Sequence, residues 1–196
     1  MIFGCVGAAH TPKNHYLNTT TSNPTITPFR LVLAKGYLRT PMNTITYRLP
    51  QIGDEHQISG CMWASAVLWE LTDGTPESVA EWLQICHPEE LRSRILSDEK
   101  TLVATWNGIV VGFIAFKRGN HLSLLFVRKE FSGQGMGREL FTRCSDDLNE
   151  VTVNAAEAAV GFYQKVGFRQ SGDRFFKHGI WGTPMKWINP SPNAME

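Results

Sequence analysis

The 196-residue chain has no apolar run approaching the ~20 residues of a membrane span, which excludes a helical membrane anchor within it. It has no excess of charge of either sign: 19 Lys and Arg stand against 18 Asp and Glu, a formal net charge of +1. That balance marks the molecule as a whole for neither nucleic acid nor a membrane surface, so any anion it binds must be held by a local feature. The four cysteines, Cys5, Cys61, Cys86 and Cys144, show no CxxC spacing and no matching histidine pair. Their scatter argues against a zinc site and against a disulfide framework, leaving free thiols in a reducing compartment. The opening MIFGCVGAA lacks a basic leader and is short for a signal peptide, which points to the cytoplasm. Length alone predicts one domain with a sizeable core rather than two.

What is present divides into stretches of different character. Residues 1–41 are rich in Thr, Asn, Pro and Ser and read as a loosely ordered extension, with Met42 a candidate start. The domain is expected over 42–190, followed by a tail at 191–196. In MNTITYRLP, Ile45 and Tyr47 alternate with polar residues as in a strand. Ala64, Val67, Leu68 and Leu71 follow helical spacing, predicting a helix over roughly 53–72. Thr75 and Pro76 form an N-cap and first-turn pair, opening a helix whose apolar stripe is Val79, Trp82, Leu83 and Cys86. Pro88 breaks or restarts it, and the pattern runs through Leu91 and Ile95 to about Ser97. TLVATW and IVVGFIAF flank Asn107-Gly108, a strong hairpin signal, and HLSLLFV supplies a third meander strand. An amphipathic helix (Leu140, Phe141, Cys144, Leu148), a strand VTVN, a helix AEAAVGFYQKV and closing strands around 168–177 and 180–188 complete a mixed α/β domain with no internal repeat.

Between the third strand and its helix lies FSGQGMGREL, with Gly133, Gly135 and Gly137 at alternate positions. A strand, a turn and a helix start gather unpaired backbone N–H groups at the positive end of a helix dipole, which suits phosphate. Glycine lets the backbone approach a ligand and adopt positive φ. Arg138, in a first turn that prefers anions, is rationalised by such a ligand, with Arg128 and Lys129 adding local charge. A glycine-rich connection without a ligand is the competing reading. The dinucleotide fingerprint GxGxxG fails because Arg138 occupies its third glycine position, and the phosphate-loop pattern GxxxxGK[ST] is absent.

LLFVRKEFSGQGMGREL resembles the acyl-CoA-binding segment of the GCN5-related N-acetyltransferases (GNAT), a hydrophobic strand ending in Val and then (R/Q)-x-x-G-x-(G/A) opening a helix. Gly135 and Gly137 match the two fixed small residues and Gly133 a common loop glycine, while Ser132 stands where Arg or Gln is usual. VNAAEAAVGFYQKVGF is similar to the family's later segment, an Asn ending a strand and a helix closing with FY-x-K-x-GF. Together the two cover roughly residues 43–188.

The resemblance implies a central, mostly antiparallel mixed sheet with helices on both faces, its strands splayed into a slot for acetyl-CoA, and no metal. It implies an acetyl group passing from acetyl-CoA to an amine by direct attack. The pyrophosphate would lie on Ser132, Gly133, Gln134, Gly135, Met136, Gly137 and Arg138. The pantetheine arm would lie along Leu125, Phe126 and Val127, with a backbone N–H near Phe126 or Val127 stabilising the oxyanion. Asn154 would bond the same arm, its other reading being a turn or cap residue. Tyr163 would protonate the leaving thiolate, since a phenol of pKa ~10 can serve a thiol of ~8.5; by spacing alone it reads as a core aromatic on a stripe with Val160 and Val166. Family members often place an acid at the position of Ser123, which cannot act as a base. His121, two residues earlier and on the same face by period two, is the nearest titratable candidate, beside a relayed water.

Acceptor specificity in the family is built from the first helices and the closing strands, so Trp63, Trp69, Trp82 and Trp181 are candidate lining residues. Asp54, Glu55, His56, Glu70 and Asp73 are candidates to attract a cation. The acceptor is expected to be a small-molecule amine or a peptide N-terminus, with neither nucleic acid nor membrane as partner; in similar proteins a dimer through the closing strands is common. A different class, a non-catalytic CoA-binding or regulatory protein on the same fold, is the alternative that Ser123 and Ser132 motivate.

Overall fold

Asn107 and Gly108 both have positive φ, 50° and 81°, the pair of conformations a tight two-residue hairpin turn requires. In the computed structural model, which describes residues 44–65, 75–97, 100–177 and 180–190 apart from the side chains of 76 and 79, this turn organises the sheet. It is preceded by β1 (Ile45–Arg48), α1 (Glu55–Trp63), α2 (Pro76–Ile85), α3 (Pro88–Leu96) and β2 (Thr101–Trp106). It is followed by β3 (Ile109–Lys117), β4 (His121–Val127), α4 (Met136–Ser145), β5 (Glu150–Ala156), α5 (Val160–Lys165), β6 (Arg169–Gln170), β7 (Phe175–Lys177) and β8 (Ile180–Ile188). The expected extension at 1–41 and tail at 191–196 lie outside the described residues.

The sheet order is β1-β2-β3-β4-β5-β8-β6, with β7 also paired to β8. Neighbours are antiparallel except β4 and β5. This is the mixed, mostly antiparallel architecture expected. One face, with Val103, Phe113, Leu124 and Phe126, packs against Ile58 and Met62 of α1, with α2 and α3 beside it; the other, with Val111, Ile114 and Val153, packs in one cluster with Leu140 and Phe141 of α4 and Tyr163 of α5. Two apolar faces on one sheet need two covering layers, which the helices supply.

Local signals set several helix starts. The Thr75 hydroxyl accepts from the Ser78 amide at 3.4 Å with Pro76 in the first turn, and Pro88 opens α3. Three expectations need correction. The helix expected over 53–72 is described only as α1, and Val67, Leu68, Trp69, Glu70, Leu71 and Asp73 lie outside the described residues. Leu83 is 49% exposed: the inward face of α2 centres on Trp82, Ile85 and Cys86, and at ~100° per residue Leu83 turns away from it. The closing segment 168–177 splits into β6 and β7 opposite Pro184, which has no N–H to give the ladder; Ser171 instead donates to the Pro184 carbonyl at 2.9 Å.

Two irregularities position the site. In the β3–β4 ladder Ala115 faces Leu124 but Phe116 faces Leu122, so Ser123 is an extra residue in β4, a bulge. The Ser123 hydroxyl donates to the Ala115 carbonyl at 3.0 Å. Immediately beyond, β4 and β5 part. They pair only at His121 with Thr152 and Leu122 with Val153. From there β5 stays with β8 as far as Ala156, and β4 stays with β3 as far as Val127. The sheet opens as a fork between the two parallel strands.

Candidate active site

The fork exposes one edge of β4. Arg128 donates to the Val111 carbonyl at 2.9 Å, and in an antiparallel ladder alternate residues turn their main-chain groups toward the same neighbour. Phe126 and Leu124 therefore address β3, and Leu125 and Val127 address the fork. This corrects the expectation for Phe126: its amide points to β3 and its side chain, 6% exposed, is buried on the α1 face. Leu125 and Val127 line the fork with both side chain and backbone.

The glycine stretch follows. Gly133 has φ 76° and Gly135, immediately before α4, has φ 84°, left-handed conformations that an L side chain resists. They turn the chain so that the amides of Gly133, Gly135, Met136, Gly137 and Arg138 make no main-chain hydrogen bond among the described residues; the first N–H bonded into α4 is that of Glu139, to the Gly135 carbonyl at 3.0 Å. Gly137 has a different reason. A Cβ there would meet the Phe162 ring at 3.2 and 3.3 Å, so this glycine lets α4 and α5 close on each other. The side chains of Ser132 and Gln134 bond back to the carbonyls of Arg128 and Glu130 at 3.4 and 3.0 Å, and Met136 is buried. What this loop offers a ligand is its main chain.

Arg138 finds a partner within the protein: its Nη2 donates to the Lys165 carbonyl at the end of α5, at 2.8 Å. A ligand is therefore not required to explain it.

Between β4, the loop, α4 and α5 lies a cavity of about 470 Å³, in the range of small-molecule sites. Tyr163 lines it and is 7% exposed. Its ring meets Phe162 and Phe168 edge-on, each at 5.2 Å between centroids, and burial holds the phenol well above its ordinary pKa. Its hydroxyl has no hydrogen-bond partner among the described residues. Tyr163 is thus both the core aromatic and the cavity residue that the sequence offers as alternatives.

His121 is half-buried at the apex of the fork, where its Nδ1 lies 2.9 Å from the Thr152 hydroxyl. Burial first, then Lys117 and Arg118, press its pKa below the ordinary value, so it is neutral at pH 7. Period-two spacing does not carry across the Ser123 bulge: His121, opposite Lys117, falls on the face of Leu124 and Phe126. Asn154 is exposed on the β5 side of the fork, opposite Pro184. Asp54 and Glu55 are buried in ion pairs with Arg48 and Arg92, which takes them out of the set that could attract an amine. Trp82 sits edge-on to Phe126 in the core, whereas Trp181 is 50% exposed.

Sequence reasoning misses Phe131, Ala158, Ala159, Phe162, Lys165 and Val166 as cavity residues. A glycine at an inner position of an amphipathic helix is the available signal, since it often marks close approach of another element.

Residues 70–189 match the family model described as the acetyltransferase (GNAT) domain. The chain belongs to the GNAT acetyltransferase family. Membership makes it an acyl-CoA-dependent acetyltransferase, and acetyl-CoA is the co-substrate of that family. This GNAT chain is 27% identical over 143 residues to the uncharacterized N-acetyltransferase YafP of Escherichia coli K12, covering 72% of this chain and 93% of that protein. A shorter match, 40% identical over 65 residues, is to the peptidyl-lysine N-acetyltransferase YjaB of the same organism; it spans 32% of this chain and 44% of YjaB. In fold it is similar to the PaiA N-acetyltransferase of Thermoplasma acidophilum, solved in complex with coenzyme A, with a TM-score of 0.61 at 19% identity over 74% of this chain and 99% of that one. Among the described residues no helix is long and apolar enough to cross a membrane.

Proposed function

We propose that this GNAT domain passes the acetyl group of acetyl-CoA directly to a primary amine, with the diphosphate of the co-substrate held by the main-chain amides from Gly133 through Arg138. The observation that carries this reading is the set of amides at Gly133 and from Gly135 through Arg138, without main-chain acceptors among the described residues, at the positive end of α4 and lining the cavity. Acetyl-CoA supplies an activated thioester. The fork-facing main chain of Leu125 and Val127 receives its pantetheine arm as an added strand, and the carboxamide of Asn154 reaches the same arm from β5. An amide of Leu125 or Val127 is the donor for the carbonyl oxygen as negative charge develops on it. Tyr163, kept protonated by burial, supplies the proton that the departing thiolate takes up.

The attacking amine must first lose a proton. His121 is neutral at pH 7 and tied by Thr152 at the fork apex, which suits it to accept that proton directly or through water. Acceptors to be tested are small amines, peptide N-termini and, because YjaB is named for that activity, lysine side chains in peptides.

Calorimetric titration with acetyl-CoA and a panel of those amines assayed for release of the CoA thiol test the reading. Tyr163→Phe is expected to lower turnover roughly 10²-fold while leaving CoA affinity within about twofold, as removal of one hydroxyl that acts in the transition state requires. Absence of heat with acetyl-CoA refutes the diphosphate site, and undiminished turnover in the variant refutes the role of Tyr163.

A further inference from the structure

α4 and α5 touch at two points beside the cavity. Gly137 admits the edge of the Phe162 ring, which a Cβ would meet at 3.2 Å, and at the next residue Arg138 donates through Nη2 to the Lys165 carbonyl at 2.8 Å. α5 is short, Val160–Lys165, and its last carbonyls are otherwise used by the turn that follows: Val166 donates to Phe162 and Tyr163, Gly167 to Gln164 and Phe168 to Tyr163. The Lys165 carbonyl is taken by Arg138. A cation at the C-terminal end of a helix is favoured by the helix dipole, which accounts for an arginine that its own helix, at its N-terminal end, gains nothing from. The residues on either side of this bond, Arg138 and Lys165, both line the cavity, and Tyr163 lines it from the helix so secured.

We propose that the Arg138 side chain is a positioning residue for Tyr163: it straps the end of α5 to the start of α4, so that the amides from Gly133 through Arg138 and the phenol form one unit of fixed spacing. The proposal rests on the reading of those amides as the diphosphate site and of Tyr163 as the proton donor. In it the guanidinium acts mainly on α5 and not on the phosphates. Its removal therefore lowers the rate of transfer more than the affinity for the co-substrate.

The test uses the full chain labelled with 3-fluorotyrosine, in which the four tyrosines give few fluorine resonances and Tyr163→Phe assigns that of Tyr163. Arg138→Met keeps the aliphatic stem and removes every donor; Arg138→Lys keeps one donor and the charge. In the free protein Arg138→Met is expected to shift and broaden the Tyr163 resonance, and Arg138→Lys to restore it in part. With acetyl-CoA, Arg138→Met is expected to lose about tenfold in kcat, the scale of one hydrogen bond from a charged donor, with at most about threefold in Kd for CoA. An unmoved Tyr163 resonance in Arg138→Met overturns the proposal, as does a loss confined to Kd with kcat intact, which makes Arg138 a phosphate ligand alone. If the parent protein gives no heat with CoA, the diphosphate reading fails, while the resonance of the free variants still decides the strap.

Discussion

Replacing Gly137 by alanine sets two effects of similar size against each other. Gly137 is within α4 and its φ is unremarkable, so alanine recovers up to ~1 kcal/mol of helix propensity. Against that, the new methyl would stand 3.2 and 3.3 Å from two atoms of the Phe162 ring and 3.9 Å from Val127 Cγ2. Carbon contacts settle at ~3.5–4.0 Å, so the ring must retreat by a few tenths of an ångström. It is held edge-on by Tyr163 at 5.2 Å and borders the cavity, the space into which it can retreat. Overpacking of this kind costs ~1–3 kcal/mol. The expected result is a net loss of ~0–2 kcal/mol in urea unfolding, with CoA affinity reduced about tenfold as the ring enters the cavity. Gly135→Ala provides the contrast: no atom lies within 4 Å of its Cβ, but φ is +84°. Strain from a left-handed alanine there costs ~1–2 kcal/mol with no steric contact. A Gly137→Ala protein that is more stable than the parent by ~1 kcal/mol and binds CoA unchanged would refute the argument that this glycine exists for Phe162.

The Asp54 carboxylate takes both Arg48 nitrogens, at 2.6 and 2.9 Å, and the Gln51 amide at 2.7 Å; because Arg48 is a third exposed, Asp54→Asn is expected to cost ~1–3 kcal/mol. The bond to Arg48 holds the Asp54 pKa below its ordinary value of 3.8, so this stabilisation is present above that value and lost as pH falls through the lower folded one; parent and variant should converge in acid. Burial raises Cys61 to about 12 and Cys86 and Cys144 to about 11, so these thiols should resist alkylation at pH 8 in the native protein and react fully in denaturant, as read by mass spectrometry. His121 titrates below its ordinary value of 6.5, so its neutral form contributes stability above 6.5 that is lost as pH falls through the folded pKa. The acid limb of kcat/KM should lie below 6.5 and change in His121→Gln; a limb that persists unaltered removes His121 as the base.

Where a signal is local, the residues themselves carry it. Asn107-Gly108 specifies a hairpin because few residues accept two successive positive φ values, and Thr75-Pro76 specifies a helix start because a hydroxyl and a missing N–H both suit the first turn. The face of Leu140, Phe141 and Cys144 is equally plain from its period, and all three are buried, whereas Leu148, expected on the same helix, lies past its end at Ser145 and packs partly buried against the core from the connection to β5. The failures share a cause, dependence on a partner distant along the chain. Nothing in HLSLLFV marks Ser123 as surplus; the bulge exists only in the pairing with β3, and with it goes the face of His121 and the direction of Phe126's amide. Arg138 suggests an anion because its partner, the Lys165 carbonyl, lies 27 residues on. Spacing groups Gly137 with Gly133 and Gly135, although two of the three answer to backbone conformation and one to an aromatic ring.

The fork itself follows from how each strand satisfies its backbone. β5 is paired with β8 along its whole length and β4 with β3 to its end, so past the Ser123 bulge neither needs the other. Parting leaves the fork-facing groups of Leu125 and Val127 without partners among the described residues, a few residues from the amides at Gly133 and from Gly135 through Arg138 and across the cavity from the Tyr163 phenol. Unpaired donors at a half-buried edge each cost of order 1 kcal/mol or more when water reaches them poorly. A ligand that supplies acceptors along an extended arm and an anion at its end meets both sets of groups at once. An apolar molecule entering the same cavity would satisfy none of those groups. Binding should therefore fall steeply when the diphosphate is removed from the ligand and the pantetheine arm is kept; equal affinity for pantetheine and for CoA would show that the amides are not what this site uses.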